Sequence, residues 1–185
     1  MKFKKDQIVN GLLILGVILF LFTPVGFKMK VLMNRLLAGS VDTLKEELQV
    51  PLDTYQWQLV DVDGNTLNFE TEKGKVVFVN FWATWCPPCV AEMPSIQELY
   101  NDYGEKVSFV MVAEDKVQKA KNFITKKEYN FPVYFSKSKA PDILKSKVIP
   151  TTYIINKKGH IVIAETGAAN WNSNKTRLFL DDLLK

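Results

Sequence analysis

A chain of 185 residues, 47% hydrophobic and 24% charged with a net charge of +4, is long enough for one domain of about 130 to 150 residues with a substantial core, plus an additional segment. Its charge excludes a nucleic-acid footprint: the first 27 residues hold a surplus of +2, leaving only +2 for the rest, and the lysines of 116–127 and 137–147 alternate with acids or apolar residues, as on a solvated face. With two cysteines and one histidine, a complete zinc site is short of ligands.

From Gln7 to Phe27 no charged residue occurs. Those positions would make roughly 31 Å of helix, close to the ~30 Å hydrocarbon core of a bilayer, and predict one transmembrane helix. Lys2, Lys4 and Lys5 before an apolar stretch also fit a cleavable signal peptide. The nearest small-residue site, Ala38-Gly39-Ser40, lies too far beyond the apolar core, and Ser40 stands where a lipid-bearing Cys would have to be, so a retained, unlipidated anchor is expected. Basic residues flank the stretch on both sides, Lys28, Lys30 and Arg35 following it, so charge alone does not orient it.

Residues 28–50 form a juxtamembrane linker whose apolar positions 31, 32, 36 and 37 suggest a short amphipathic helix near the membrane surface, a mobile tether being the equal alternative. Pro51 marks the start of the domain, 51–185. Alternation at 57–60 and 66–69 around the turn Asp61-Val62-Asp63-Gly64-Asn65 predicts a β-hairpin. The run Val76-Val77-Phe78-Val79-Asn80-Phe81-Trp82 is apolar on both faces, as a strand in the middle of a sheet should be. A helix follows from Cys89 to about Tyr103, with Pro94 expected to kink it and Gly104 just beyond its end. Then come a strand at 107–112, a helix at 116–128, a strand at 131–135, a short helix at 140–147, strands at 151–155 and 161–164, and a helix at 173–184. Strands alternating with helices after a leading hairpin predict a three-layer α/β domain.

The cysteines stand three apart, Cys86-Pro87-Pro88-Cys89, at the end of the buried strand. As a dithiol centre the spacing lets the sulfurs meet at a helix N-terminus, with the first thiol exposed and the second buried in the first turn. Pro87 fits there because its missing N–H would have had no intrahelical partner. A metal-binding use of the pair remains the alternative, with His160 the one further soft ligand and more simply a turn residue.

Asn80-Phe81-Trp82-Ala83-Thr84-Trp85-Cys86-Pro87-Pro88-Cys89, Pro94, and Val148-Ile149-Pro150-Thr151-Thr152 together resemble the thioredoxin fold. The leading hairpin, the Cys89-Val90-Ala91-Glu92-Met93-Pro94 run, the inserted helix-strand unit and the N-terminal anchor are similar to the TlpA/ResA-like branch of extracytoplasmic thiol-disulfide oxidoreductases, over about residues 50–185. The resemblance implies a three-layer α/β/α sandwich in which Cys86 is the attacking and Cys89 the resolving thiol. Pro150 would be the cis-proline facing the pair, and Ile149 would present its backbone to an extended substrate. Trp85, with Pro87 and Pro88, would form the rim. Cytosolic thioredoxin keeps a buried acid where Asn80 stands; Glu92 matches the acid of ResA-like proteins instead and would relay a proton to or from Cys89, the bland alternative being a surface acid near the helix N-terminus.

Direction follows from chemistry. Pro87 and Pro88 remove two backbone donors, no cation lies between the cysteines, and Glu92 adds negative charge. A poorly stabilised thiolate makes a stable disulfide and a reducing couple. The expectation is a membrane-anchored periplasmic reductase of protein disulfides, with no metal and no cofactor beyond its Cys pair. Its disulfide would be recharged by a membrane thiol donor, and relatives imply apocytochrome c as substrate. A disulfide isomerase or oxidase, and a non-enzymatic copper-binding or adaptor module, are the competing functions.

Overall fold

β4 (Val76–Trp82) is buried at all seven positions, as a strand apolar on both faces must be, and the rest of the sheet is ordered around it. In the computed structural model, which describes residues 5–145 and 147–185, eight strands run in the order β1-β8-β7-β4-β5-β6-β2-β3. Their ranges are β1 Val50–Pro51, β2 Gln58–Asp61, β3 Thr66–Asn68, β5 Val107–Ala113, β6 Val133–Ser136, β7 Thr151–Ile155 and β8 His160–Thr166. β4 pairs in parallel with β5, and β5 with β6; every other pairing is antiparallel. The expected hairpin is β2–β3, and it extends the sheet beyond β6.

Two hydrophobic clusters cover the sheet. The larger joins Phe78, Trp82, Phe109 and Met111 to Met93, Ile96 and Leu99 of α3 (Pro87–Tyr103), Ala120 of α4 (Val117–Lys127) and Leu180 of α5 (Asn174–Leu184). Parallel neighbours β4, β5 and β6 advancing in one direction require right-handed crossovers, so α3 and α4 fall on the same face. The second cluster holds Val77, Val79, Phe81, Trp57, Leu59, Phe69 and Leu144 and draws nothing from α3, α4 or α5.

Here the expected α/β/α sandwich needs correction: on the second face the covering layer consists of irregular chain and the single 3-10 turns Phe69–Glu72 and Asp142–Leu144. The helix expected at 140–147 is reduced to that second turn, and Ser146 lies outside the described residues. Pro141 and Pro150 bound a segment too short to propagate an α-helix, and burial of Leu144 holds what forms. α3, by contrast, runs through Pro94. At its end Gly104 is needed for space, since a Cβ there would stand 2.7 Å from the Tyr100 carbonyl oxygen.

The N-terminal segment also differs from a single span. α1 (Lys5–Phe22) ends before Thr23, and α2 (Pro24–Leu37) leaves it at a bend of 74°. Thr23 caps α2 by accepting from the Gly26 N–H at 3.2 Å, and Pro24 occupies the first turn, a start signal that the unbroken apolar composition of 7–27 conceals. No single helix among the described residues is long and apolar enough to cross a membrane, whereas the bent pair together passes on length and composition. The basic start at Lys2 and Lys4 lies outside the described residues.

Candidate active site

The strand delivers the pair through a short pinned loop. After Trp82 the chain turns at Ala83–Trp85, and Thr84 donates both its N–H and its hydroxyl to Asp115, just past β5. Burial alone would raise the Asp115 carboxyl, but these bonds and the Lys116 N–H hold it below its usual range. With the loop fixed, Cys86 becomes the N-cap of α3, and its sulfur accepts from the Cys89 N–H at 3.2 Å. Pro87 and Pro88 follow as the first helical residues, where absent N–H groups leave no intrahelical bond unmade.

Cys86 and Cys89 are joined as a disulfide with Cα atoms 5.3 Å apart. Cys89 is fully buried and Cys86 only 4% exposed, so in the oxidised state the first sulfur is far less open than expected. The bond draws both sulfurs into the first turn, and the Ile149 carbonyl oxygen stands 3.7 Å from the Cys86 sulfur. The Ile149–Pro150 peptide bond is cis. Trp85 projects outward, 60% exposed, beside the pair.

Glu92 is one helical turn beyond Cys89 and is 1% exposed, an interior acid and not a surface one. Its Oε1 accepts from the Asn80 amide at 2.8 Å; its Oε2 accepts from the Trp171 indole N–H at 2.9 Å and the Ala169 N–H at 3.3 Å. Desolvation pushes its pKa up to about 7, against those three donors, with a further upward push from Glu165. The same Asn80 amide donates to the Thr152 hydroxyl at 2.7 Å, while its carbonyl oxygen has no partner among the described residues. The buried acid is thereby linked through β4 to β7, two residues past Pro150.

A buried carboxyl near neutrality beside a helix N-terminal Cys pair can exchange a proton with a buried thiol. The structure brings Cys86, Cys89, Glu92, Ile149, Pro150, Pro87 and Pro88 to one end of the sheet, with Trp85 at the edge. Ala169 and Asp115 carry no advance signal in their own neighbourhoods, and Asn80 and Thr152, though within the motifs that carry the resemblance, give no sign of their contact with each other or with Glu92. Trp171 offered a hint, as a large indole between Asn170 and Asn172 in a segment otherwise suited to a loop.

Residues 45–179 match the Redoxin family. Over 121 residues the chain is 36% identical to the thiol-disulfide oxidoreductase ResA of Bacillus anthracis, covering 64% of this chain and 70% of that protein. It is 32% identical over 156 residues to the ResA of Bacillus subtilis (strain 168), covering 82% of each. Among solved structures, a thiol:disulfide interchange protein of the thioredoxin family from Chlorobium tepidum TLS superposes with a TM-score of 0.59 at 25% identity, over 72% of this chain and 97% of the other.

Proposed function

The chain belongs to the Redoxin family and is a ResA-type thiol-disulfide oxidoreductase, and from that premise we propose that it works as a reductase of protein disulfides, anchored in the membrane with its domain outside the cytoplasm. The observation that carries the direction is the Cys86 environment: one backbone donor at 3.2 Å, two prolines where further N–H groups would stand, and a buried acid near the second cysteine.

In the proposed cycle the Cys86 thiolate attacks a substrate disulfide, forming a Cys86–substrate bond and releasing one substrate thiolate. Glu92 takes the proton of Cys89; the Cys89 thiolate attacks the Cys86 sulfur and expels the second substrate thiolate. Two electrons pass to the substrate, and the Cys86–Cys89 disulfide remains. A membrane dithiol donor returns the pair to its reduced state, so the thiols serve as the redox centre without further cofactor or metal. The backbone of Ile149, before the cis Pro150, would take an extended peptide by strand addition, with Trp85, Pro87 and Pro88 as its rim. Apocytochrome c, whose cysteines must be reduced before haem attachment, is the proposed substrate.

Anchoring falls to α1, whose apolar side chains from Ile8 to Phe22 stand largely exposed, Phe20 being partly covered by Lys30 of α2. Its 18 residues span about 27 Å, slightly less than a typical core, a mismatch that local thinning accommodates.

Trapping with Cys89→Ala tests the mechanism. The variant should accumulate a mixed disulfide through Cys86 with substrate protein; recovery of none, with Cys86 shown to be free and reactive, would defeat it.

A further inference from the structure

The geometry points to α2 as a bilayer-surface helix that clamps the catalytic domain onto the membrane, with the phospholipid headgroup–acyl boundary as the partner of its outer face. This rests on the reading of α1 as the anchor and adds a second, separate membrane contact.

The outer face is a continuous apolar stripe. Val25, Met29, Leu32, Met33 and Leu36 recur at helical spacing, and each is at least half exposed, far more apolar surface than a solvated helix carries by chance. Lys28 is exposed on the same helix, where its cationic end can reach lipid phosphates while its stem lies along the apolar boundary; Arg35 instead lines the cleft against Ala91, Pro94 and Glu98 of α3. The inner face is committed elsewhere: Gly26 is buried, Lys30, Val31, Asn34 and Ala38 are partly covered, and α2 packs against α3.

Direction comes from the elbow. If α1 runs along the membrane normal, a 74° bend lays α2 nearly in the membrane plane. An apolar groove in the crook is lined by Gly16, Leu19 and Phe20 of α1 and by Val25 and Met29 of α2, so the stripe looks toward the side on which α1 enters the bilayer. The bend is built in. A Cβ on Gly26 would stand 2.0 Å from the Phe20 carbonyl oxygen, and Lys30 donates to the Leu21 carbonyl at 3.3 Å while lying over the Phe20 ring.

α2 is also bolted to the domain beyond its C-terminus. The Gly39 carbonyl accepts from the Asn170 N–H at 2.8 Å, Val41 is buried in the larger core cluster, and the Leu44 N–H donates to Val162 at 2.9 Å. The segment is therefore a rigid bracket holding α3, the helix of Cys86, Cys89 and Glu92, at a set height above the lipid.

The test uses the full chain with Cys86→Ser and Cys89→Ser, carrying one nitroxide at a time at Ile14→Cys, Leu32→Cys or Lys126→Cys, in phosphatidylcholine–phosphatidylglycerol vesicles. Relaxation by oxygen should exceed relaxation by an aqueous nickel chelate at 14 and at 32, and the order should reverse at 126. Oxygen dominance at 14 with nickel dominance at 32 would overturn the surface helix and leave the anchor standing. Nickel dominance at both would overturn the anchor itself. Shielding of 32 from both agents, with dipolar broadening between labels, would assign the stripe to a second copy of the chain and overturn the lipid contact.

Discussion

The side-chain amide of Asn80 donates to Glu92 Oε1 at 2.8 Å, so the neutral residue standing where thioredoxin keeps its acid serves the acid that this chain carries one helical turn past Cys89. The same amide reaches Thr152, joining the proton site to the strand after Pro150. The ionised Glu92 finds three donors, while the protonated form must find an acceptor, and the Asn80 oxygen, without a partner among the described residues, can supply one by rotation of the amide.

Glu92 makes stability depend on pH in a defined sense. Its pKa rises from 4.5 to about 7 on folding, chiefly by desolvation, so the folded state holds the proton more tightly than the unfolded chain. The contribution is fully present below pH 4.5, declines as pH rises toward about 7, and is absent above; its full size is about 3 kcal/mol. Glu92→Gln should flatten that decline in urea-unfolding midpoints measured from pH 4 to 8. Parallel curves for the two proteins would contradict the assignment.

Asn80→Ala removes one of three donors to the carboxylate. Losing a hydrogen bond to a charged group costs roughly 1–3 kcal/mol, so the acid limb of the pH profile for disulfide reduction should move up by about one unit. Asn80→Asp should move it further, since two carboxyls in one buried site cannot both ionise easily. An unmoved profile in both variants would separate Asn80 from the proton step.

Trp85 is largely exposed, so Trp85→Ala should change stability by less than about 0.5 kcal/mol. As a rim aromatic it should nevertheless contribute on the order of 1 kcal/mol to docking, a KM raised about fivefold for a protein disulfide with kcat nearly unchanged. Equal losses for a protein substrate and a small-molecule disulfide would argue against docking.

At the end of α4, Glu128 adopts φ 56°, left-handed backbone at the C-cap. Glycine takes this conformation without strain and removes an acid from the negative end of the helix dipole. Glu128→Gly should raise stability by about 1 kcal/mol, read as a shift in thermal midpoint with activity preserved.

How much of this was legible in the sequence depends on how local each signal was. β4, the start of α3 and the Cys86–Cys89 pair are written in contiguous residues, and Pro150 gained meaning through the resemblance. Trp171 and Ala169 reach Glu92 from a connection almost eighty residues away, and nothing near them marks the contact. The elbow after Phe22 was hidden differently. Thr23 and Pro24 are a helix start, but apolar composition continues across them and reads as one span. The second face of the sheet was overpredicted because the 140–147 segment has a helical pattern without the length to sustain a helix.

Most direct is the reduction potential of the Cys86–Cys89 couple, measured by equilibration of the full chain against glutathione and dithiothreitol buffers. With one backbone donor on Cys86, no N–H at Pro87 or Pro88 and an acid beside Cys89, the potential should fall near the reducing end of thioredoxin-fold proteins, about −270 mV. A value near about −120 mV, typical of the strongest oxidants, would contradict the proposed direction of electron flow.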